Sequence, residues 1–301
     1  MNNNQLFGDG FGGALATPCL PEGEMYEDGW VRLVQHVVAG GVDFLVALGS
    51  TGEAAMLDDE ERRRVVEIVS AHRGKATLVI GTGTSATAST CTATRIAADS
   101  GADGALIAVP PYIKPTQAGI VAHFAAVAKA VPELPLIAYN VPSRTGVNLT
   151  PETMQRLWKL PTVVALKESS GDLNQISRIG AELPDGRTLL AGDDALALAS
   201  IAVGAHGLVS VAGNVVPSAM RELLAAARGS DLTRAQEQLS VLLPLMNALN
   251  LEPNPIPTKA AHAPAAMTYS TPRPPLLPAT DETRASLRLA LQQTRNIKIH
   301  V

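Results

Sequence analysis

The sequence predicts an α/β chain folded as a (β/α)8 TIM barrel with a C-terminal helical appendage, and three observations carry that reading. Eight short aliphatic runs recur along the 301 residues, alanine-rich stretches with helical patterning separate them, and polar, chemistry-bearing residues gather just after the runs. The runs lack strict apolar–polar alternation, as expected of parallel strands covered on both faces. A doubly wound sheet would show fewer strands and a glycine fingerprint for a dinucleotide.

Taken in order, the first run is Gly13 to Thr17, after a polar leader, and a helix pattern over Asp28 to Ala39 follows it. The second run is Asp43 to Leu48, with a helix over Asp58 to His72; the third is Thr77 to Gly81, with a helix over Thr87 to Ser100. The fourth and fifth runs, Gly104 to Val109 and Leu136 to Asn140, flank a helix over Gln117 to Ala130. Thr150-Pro151-Glu152 then supplies a cap, a first-turn proline and a carboxylate near a helix N-terminus, so a helix is expected over Pro151 to Trp158. Val163 to Lys167 is the sixth run and Thr188 to Ala191 the seventh, with a helix over Leu173 to Leu183 between them. Gly207 to Val211 is the eighth. The stretch Ala195 to Val216 carries no Asp, Glu, Lys or Arg, but His206, Asn214, serines and glycines interrupt it. It reads as a buried helix followed by a buried strand, with His206 as a core histidine, and not as a membrane span.

After about residue 230 the pattern changes to a helix over Leu232 to Leu249, a proline-rich stretch through Pro278, and a helix over Asp281 to Gln293. The expected division is therefore a barrel domain over 1–230 and a helical region over 231–301. Composition agrees with a chain that buries a sizeable core: 46% hydrophobic, 17% charged and only 3% aromatic, so Ala, Val and Leu must fill it. A net charge of −4 gives no electrostatic reason to expect nucleic acid or an anionic membrane as partner. Cys19 and Cys91 have no metal or redox spacing, and the first residues lack a basic and an apolar signal region. A reducing, cytoplasmic setting and a small-molecule ligand are the expectations.

Catalytic groups of such a barrel sit at the C-terminal ends of strands. Lys167 closes the sixth run, Val163-Val164-Ala165-Leu166, and an amine desolvated beside an apolar core is a candidate nucleophile for a carbonyl. Tyr139 ends the fifth run, and its phenol can donate and accept the protons that Schiff-base chemistry moves. Filling the barrel mouth is the bland alternative for Tyr139, as a surface ion pair is for Arg144. Arg144 lies in the following turn and offers a fork suited to a carboxylate. Gly49-Ser50-Thr51-Gly52 follows the second run with two hydroxyls and backbone N–H groups for a second carboxylate, although a tight turn alone also explains its glycines. Asp193-Asp194 suits helix capping better than a cation. Gly81-Thr82-Gly83-Thr84 lacks the third glycine of a nucleotide loop, the six histidines show no metal spacing, and no G-x-S-x-G is present.

Gly49-Ser50-Thr51-Gly52-Glu53, Tyr139-Asn140-Val141-Pro142-Ser143-Arg144-Thr145-Gly146, Leu166-Lys167-Glu168, Gly192-Asp193-Asp194 and Glu252-Pro253-Asn254-Pro255-Ile256-Pro257 together resemble the dihydrodipicolinate synthase branch of the pyruvate-dependent class I aldolases. The resemblance spans nearly the whole chain in order, and the late EPNPIP segment separates it from neuraminate lyases. It implies an enzyme in which Lys167 forms a Schiff base with pyruvate, Tyr139 shuttles protons, and the enamine attacks aspartate-semialdehyde held by Arg144. It further implies that Ser50 and Thr51 bind the pyruvate carboxylate and link to Tyr139, Ser50 as a catalytic proton relay, that Gly192 and Val209 line the pocket, and that no metal or organic cofactor is used. A homotetramer is implied as well. Two departures stand out. Ser50 occupies a position that is usually threonine, and Pro111-Tyr112-Ile113-Lys114 is one residue short, with Tyr112 alone where the synthases carry two tyrosines, the second of them reaching across a dimer interface. The lysine feedback site is not matched at Asp59, Arg62, Ser85 and Ser89, so inhibition by lysine is expected to be weak or absent. A related aldolase or hydratase for sugar acids, and a catalytically silent oxoacid-binding member, are the alternatives; Arg144 speaks against the first, and Lys167 with Tyr139 against the second.

Overall fold

The computed structural model describes residues 6–262 and 271–295. Eight parallel strands follow one another in chain order as a closed barrel. They are β1 Phe11–Ala14, β2 Phe44–Ala47, β3 Thr77–Gly81, β4 Gly104–Ala108, β5 Leu136–Asn140, β6 Val163–Glu168, β7 Thr188–Ala191 and β8 Gly207–Ser210. The helices are α1 Glu27–Ala39, α2 Asp59–His72, α3 Thr87–Asp99, α4 Gln117–Ala130, α5 Pro142–Thr145, α6 Pro151–Leu157, α7 Leu173–Ala181, α8 Ala197–Ala202, α9 Pro217–Arg228, α10 Leu232–Ala248, α11 Ile256–His262 and α12 Asp281–Arg295. The chain forms two compact units, one running up to Gly10 and over Thr77–Val209, the other over Phe11–Ala76 and from Ser210 onward.

In the first unit, β4 pairs with β5 in the register Ala108↔Tyr139, and β5 with β6 in the register Tyr139↔Lys167 and Asn140↔Glu168. Side chains alternate between faces along a strand. Leu136, Ala138 and Leu166 face outward and pack with Ile120, Phe124 and Val127 of α4, Met154 and Leu157 of α6, and Ile176 and Ile179 of α7. Most of these side chains are wholly shielded from solvent. Each large apolar one contributes about 1.5–3 kcal/mol by leaving water. The same alternation puts Tyr139 and Lys167 on the opposite face, side by side, and sends Asn140 and Glu168 outward. Helix α6 starts as its sequence predicts, with the Thr150 hydroxyl accepting from the Thr153 N–H at 3.3 Å and Pro151 in the first turn.

In the second unit, β1 pairs with β2 through Gly12↔Phe44. A Cβ on Gly12 would lie 2.3 Å from the Phe44 ring, so only glycine admits that ring. The buried Asn214 amide then extends β1, donating to the Ala14 carbonyl at 2.7 Å and accepting from the Ala16 N–H at 3.0 Å. Helix α10 packs on α9 and α12, and α11 on α12.

Three sequence expectations need correction. β1 starts at Phe11, two residues before the expected Gly13, because the Phe11 N–H is held by the Asp43 carboxylate at 2.9 Å and the ladder begins there. His206 is exposed and precedes β8, so it is no core histidine. Asp193 accepts from the Ala195 N–H at 3.0 Å in a local turn and does not cap α8, whose N-cap position is Leu196. Among the described residues no helix is long and apolar enough to cross a membrane. Part of the proline-rich stretch, over 263–270, and the last residues, 296–301, lie outside the described residues.

Candidate active site

The first unit brings Lys167 and Tyr139 together. Both are buried, and the Lys167 Nζ stands 4.5 Å from the centre of the Tyr139 ring. An ammonium over an aromatic face gains about 0.5–2 kcal/mol, which orients the amine and offsets part of its desolvation. Strand β7 closes the other side, with Lys167 opposite Leu190, and Gly192 lies just beyond the strand end. Its N–H donates to the Glu168 carbonyl at 2.8 Å. A Cβ at Gly192 would fall 1.9 Å from the Ser169 Oγ and 2.9 Å from the Lys167 Cε, so the backbone there must carry no side chain if the lysine is to keep its place. The Ser169 hydroxyl, beside that glycine, has no hydrogen-bond partner among the described residues.

Behind the pair, on the outward face, lies a polar cluster that sequence reasoning missed. The Asn140 amide donates to both carboxylate oxygens of Glu168, at 3.1 and 3.0 Å, and to the Asn148 Oδ1 at 2.7 Å. Glu168 also accepts from the Ser170 N–H at 2.6 Å and from the Gln175 Nε2 at 3.1 Å. Burial pushes the Glu168 carboxyl up from its ordinary range, against the downward pull of the bonds from Asn140, Ser170 and Gln175. Leaving one of these buried donors without an acceptor would cost about 1–3 kcal/mol. One signal in the sequence could have exposed the cluster. Gln175 is a polar residue on the same helical face as Ile176 and Ile179, and it is buried with them.

Between Asn140 and Asn148 the chain makes the single turn α5, which carries Arg144. Its C-cap Gly146 takes φ 76°, a conformation glycine adopts without strain. Arg144 itself is exposed. Tyr112 is 90% exposed at φ 72°, with its N–H on the Thr145 carbonyl at 3.3 Å, so its phenol takes no part in the buried pair. Val209 is buried in β8. The segment Gly81-Thr82-Gly83-Thr84 is a packed loop: the Thr82 and Thr94 hydroxyls lie 2.9 Å apart, and a Cβ at Gly83 would come 2.7 Å from the Ala108 nitrogen.

The second unit holds the other candidates. Ser50 is exposed, whereas Thr51 is buried and its hydroxyl accepts from the Asn254 Nδ2 at 2.9 Å. The Thr258 hydroxyl donates to the Asn254 Oδ1 at 3.3 Å, so the EPNPIP segment fixes the Thr51 rotamer. The Gly52 N–H is spent on the Gly49 carbonyl at 3.1 Å, closing the tight turn. Glu53 follows at φ 52°, wholly buried, and pairs with the equally buried Lys259; it also accepts from the Arg273 N–H at 3.0 Å. Among the described residues no cluster of His, Cys, Asp and Glu could hold a metal ion.

Chemically, a buried amine beside a phenol at a strand end suits imine formation with a carbonyl substrate and proton transfer to and from it. Comparison with known proteins agrees with that chemistry. The model of the dihydrodipicolinate synthetase family matches residues 9–294. The 4-hydroxy-tetrahydrodipicolinate synthase of Thermosynechococcus vestitus is 43% identical over 286 residues, covering 95% of this chain and 97% of the relative. The chloride-inhibited dihydrodipicolinate synthase of Acinetobacter baumannii, solved in complex with pyruvate, is similar at a TM-score of 0.93 and 36% identity, over 97% of this chain and 100% of that one. The lysine-bound enzyme of Cyanidioschyzon merolae is similar at 0.90 and 35%, over 94% and 97%.

Proposed function

The chain belongs to the dihydrodipicolinate synthetase family, and we propose that within it Lys167 carries the Schiff base and Tyr139 the proton transfers. The activity is that of a 4-hydroxy-tetrahydrodipicolinate synthase, the condensation of pyruvate with L-aspartate-4-semialdehyde in lysine and diaminopimelate biosynthesis. The Lys167 amine adds to the pyruvate ketone, and the carbinolamine loses water to give the iminium. Loss of a methyl proton then leaves the enamine, whose carbon attacks the aldehyde, and cyclisation releases the lysine. Tyr139 takes and returns the protons at each stage. The observation that carries this reading is the Lys167 Nζ at 4.5 Å from the Tyr139 ring centre, on neighbouring strand ends.

Arg144 holds the carboxylate of the semialdehyde, which its position on the turn after β5 and its exposure support. Thr51, with Ser50 beside it, takes the pyruvate carboxylate; the buried Thr51 hydroxyl, already accepting from Asn254, has its own hydrogen left to donate. Gly192 and Val209 line the pyruvate pocket. The chemistry needs no metal or organic cofactor, since amine, phenol and guanidinium supply every charge and proton. A homotetramer is the proposed assembly and the cytoplasm the proposed location. In the proposed assembly Tyr112 reaches a second copy of the chain and completes the proton relay there, a reading that its exposure beside the exposed Ile113 supports. The proposed division is a barrel over 1–230, which carries the chemistry, and a helical region over 231–301.

The test is a condensation assay with pyruvate and either aspartate-semialdehyde or sugar-acid aldehydes. Turnover with the semialdehyde and none with the sugar acids is expected. The reverse preference would replace the second substrate and leave the Schiff base standing.

A further inference from the structure

The turn that carries Arg144 is too short to hold itself. Helix α5 has four residues, closed by the Thr145 N–H on the Val141 carbonyl at 3.0 Å and the Gly146 N–H on the Pro142 carbonyl at 2.9 Å. A single turn is far below the length at which a helix is stable alone. The Thr145 hydroxyl, donating to the Val141 and Val147 carbonyls, and the Tyr112 N–H on the Thr145 carbonyl brace it locally, and further bonds hold its ends. Asn140 ends β5 on the entry side, and on the exit side the backbone of residues 148–150 is taken up by side chains from elsewhere. The Leu149 N–H donates to the Asn140 Oδ1 at 2.9 Å, the Asn148 carbonyl accepts from Gln117 at 2.8 Å, and the Thr150 N–H donates to Gln117 at 3.3 Å.

Glu168 decides how this closure is oriented. An amide can present its oxygen or its nitrogen to Leu149, and only the oxygen can accept that N–H. The Glu168 carboxylate, facing the other side of Asn140, requires the nitrogen there and so sends the oxygen to Leu149. Gln175, between Glu168 and Asn148, fixes the second amide in the same way: its nitrogen donates to Glu168, and its oxygen accepts from the Asn148 Nδ2 at 2.7 Å. Every group that meets Glu168 from Asn140, Ser170 and Gln175 is a donor, which a carboxylate can satisfy and an amide at 168 cannot.

We propose that Glu168, the residue after Lys167, is a positioning residue that ties the Arg144 turn to the end of β6 and thereby sets the affinity for the carboxylate of the second substrate. This rests on Arg144 holding that carboxylate. The effect belongs to the second substrate because the cluster lies on the face of β5 and β6 opposite Tyr139 and Lys167, and its bonds run to the turn.

Glu168→Gln keeps the size and reverses one donor. The expected result is a KM for aspartate-semialdehyde raised about tenfold or more, as a small misplacement of a substrate clamp produces, with the KM for pyruvate and the rate of borohydride trapping at Lys167 held within about twofold. Asn148→Ala, which loosens the same closure from the turn and leaves β6 untouched, is expected to move the same constant, and it decides the matter if the first variant does not fold. In an Arg144→Ala background neither substitution should add to the loss. An unmoved KM for the semialdehyde in Asn148→Ala, an equal fall in pyruvate trapping, or a full additional loss in the Arg144→Ala background would each overturn the proposal. Failure of the parent enzyme to turn over the semialdehyde at all would count against the proposed function instead.

Discussion

At Gly192 the requirement is for the absence of a side chain, and it can be tested directly. Ala at this position would place a methyl 1.9 Å from the Ser169 Oγ and 2.9 Å from the Lys167 Cε, both closer than carbon contacts allow. Ser169 can rotate away, but Lys167 is held between Tyr139 and β7, so the amine must shift. Gly192→Ala is therefore expected to lower kcat/KM by about tenfold or more while thermal stability changes little, measured by steady-state kinetics beside a melting curve. A variant as active as the parent would show that the amine has room to spare. Sequence alone singled out Lys167, Tyr139, Arg144 and Thr51, because reactive side chains at strand ends stand out against aliphatic runs, and the family resemblance added Gly192. It gave Glu168 no role beyond its place in the motif around the lysine. Bonds from Asn140 and Gln175, on other elements, hold its carboxylate, and the one sign of them in the sequence is Gln175, a polar residue on an apolar helical face.

Elements are held to one another here by a few buried polar contacts set in apolar layers. Helix α11 meets the turn after β2 through Lys259 and Glu53, a pair with essentially no solvent exposure, and Arg273 adds a backbone N–H to the same carboxylate and bonds Glu61 at 2.7 Å. A buried charge that loses its partner is costly, about 3–5 kcal/mol. Lys259→Met is expected to destabilise the protein by about that amount in chemical denaturation. Lys259→Met combined with Glu53→Gln, which removes both charges, should cost less than the two single changes added together. Strict additivity would mean that the two residues do not interact. At this scale β3, β5 and β7 begin and end where their aliphatic runs do. β1 does not, because Asp43 recruits Phe11 and Gly12 makes room for Phe44, contacts with residues some 32 positions away in sequence.

For the molecule as a whole, eight aliphatic runs separated by helices were enough to predict a parallel barrel, because strands buried on both faces must be apolar throughout. The same regularity hid what is particular to this chain: an exposed His206 just before β8, an almost wholly exposed Tyr112, and a C-terminal segment whose Asn254 fixes the Thr51 hydroxyl. Composition and periodicity report burial, whereas these features depend on where one side chain meets another. The central claim is that all of this serves one amine. Incubating the protein with pyruvate and borohydride and mapping the adduct by peptide mass spectrometry tests it most directly. The account predicts a single reduced pyruvyl adduct on Lys167, absent from Lys167→Ala; an unmodified Lys167, or an adduct on another lysine, would contradict it.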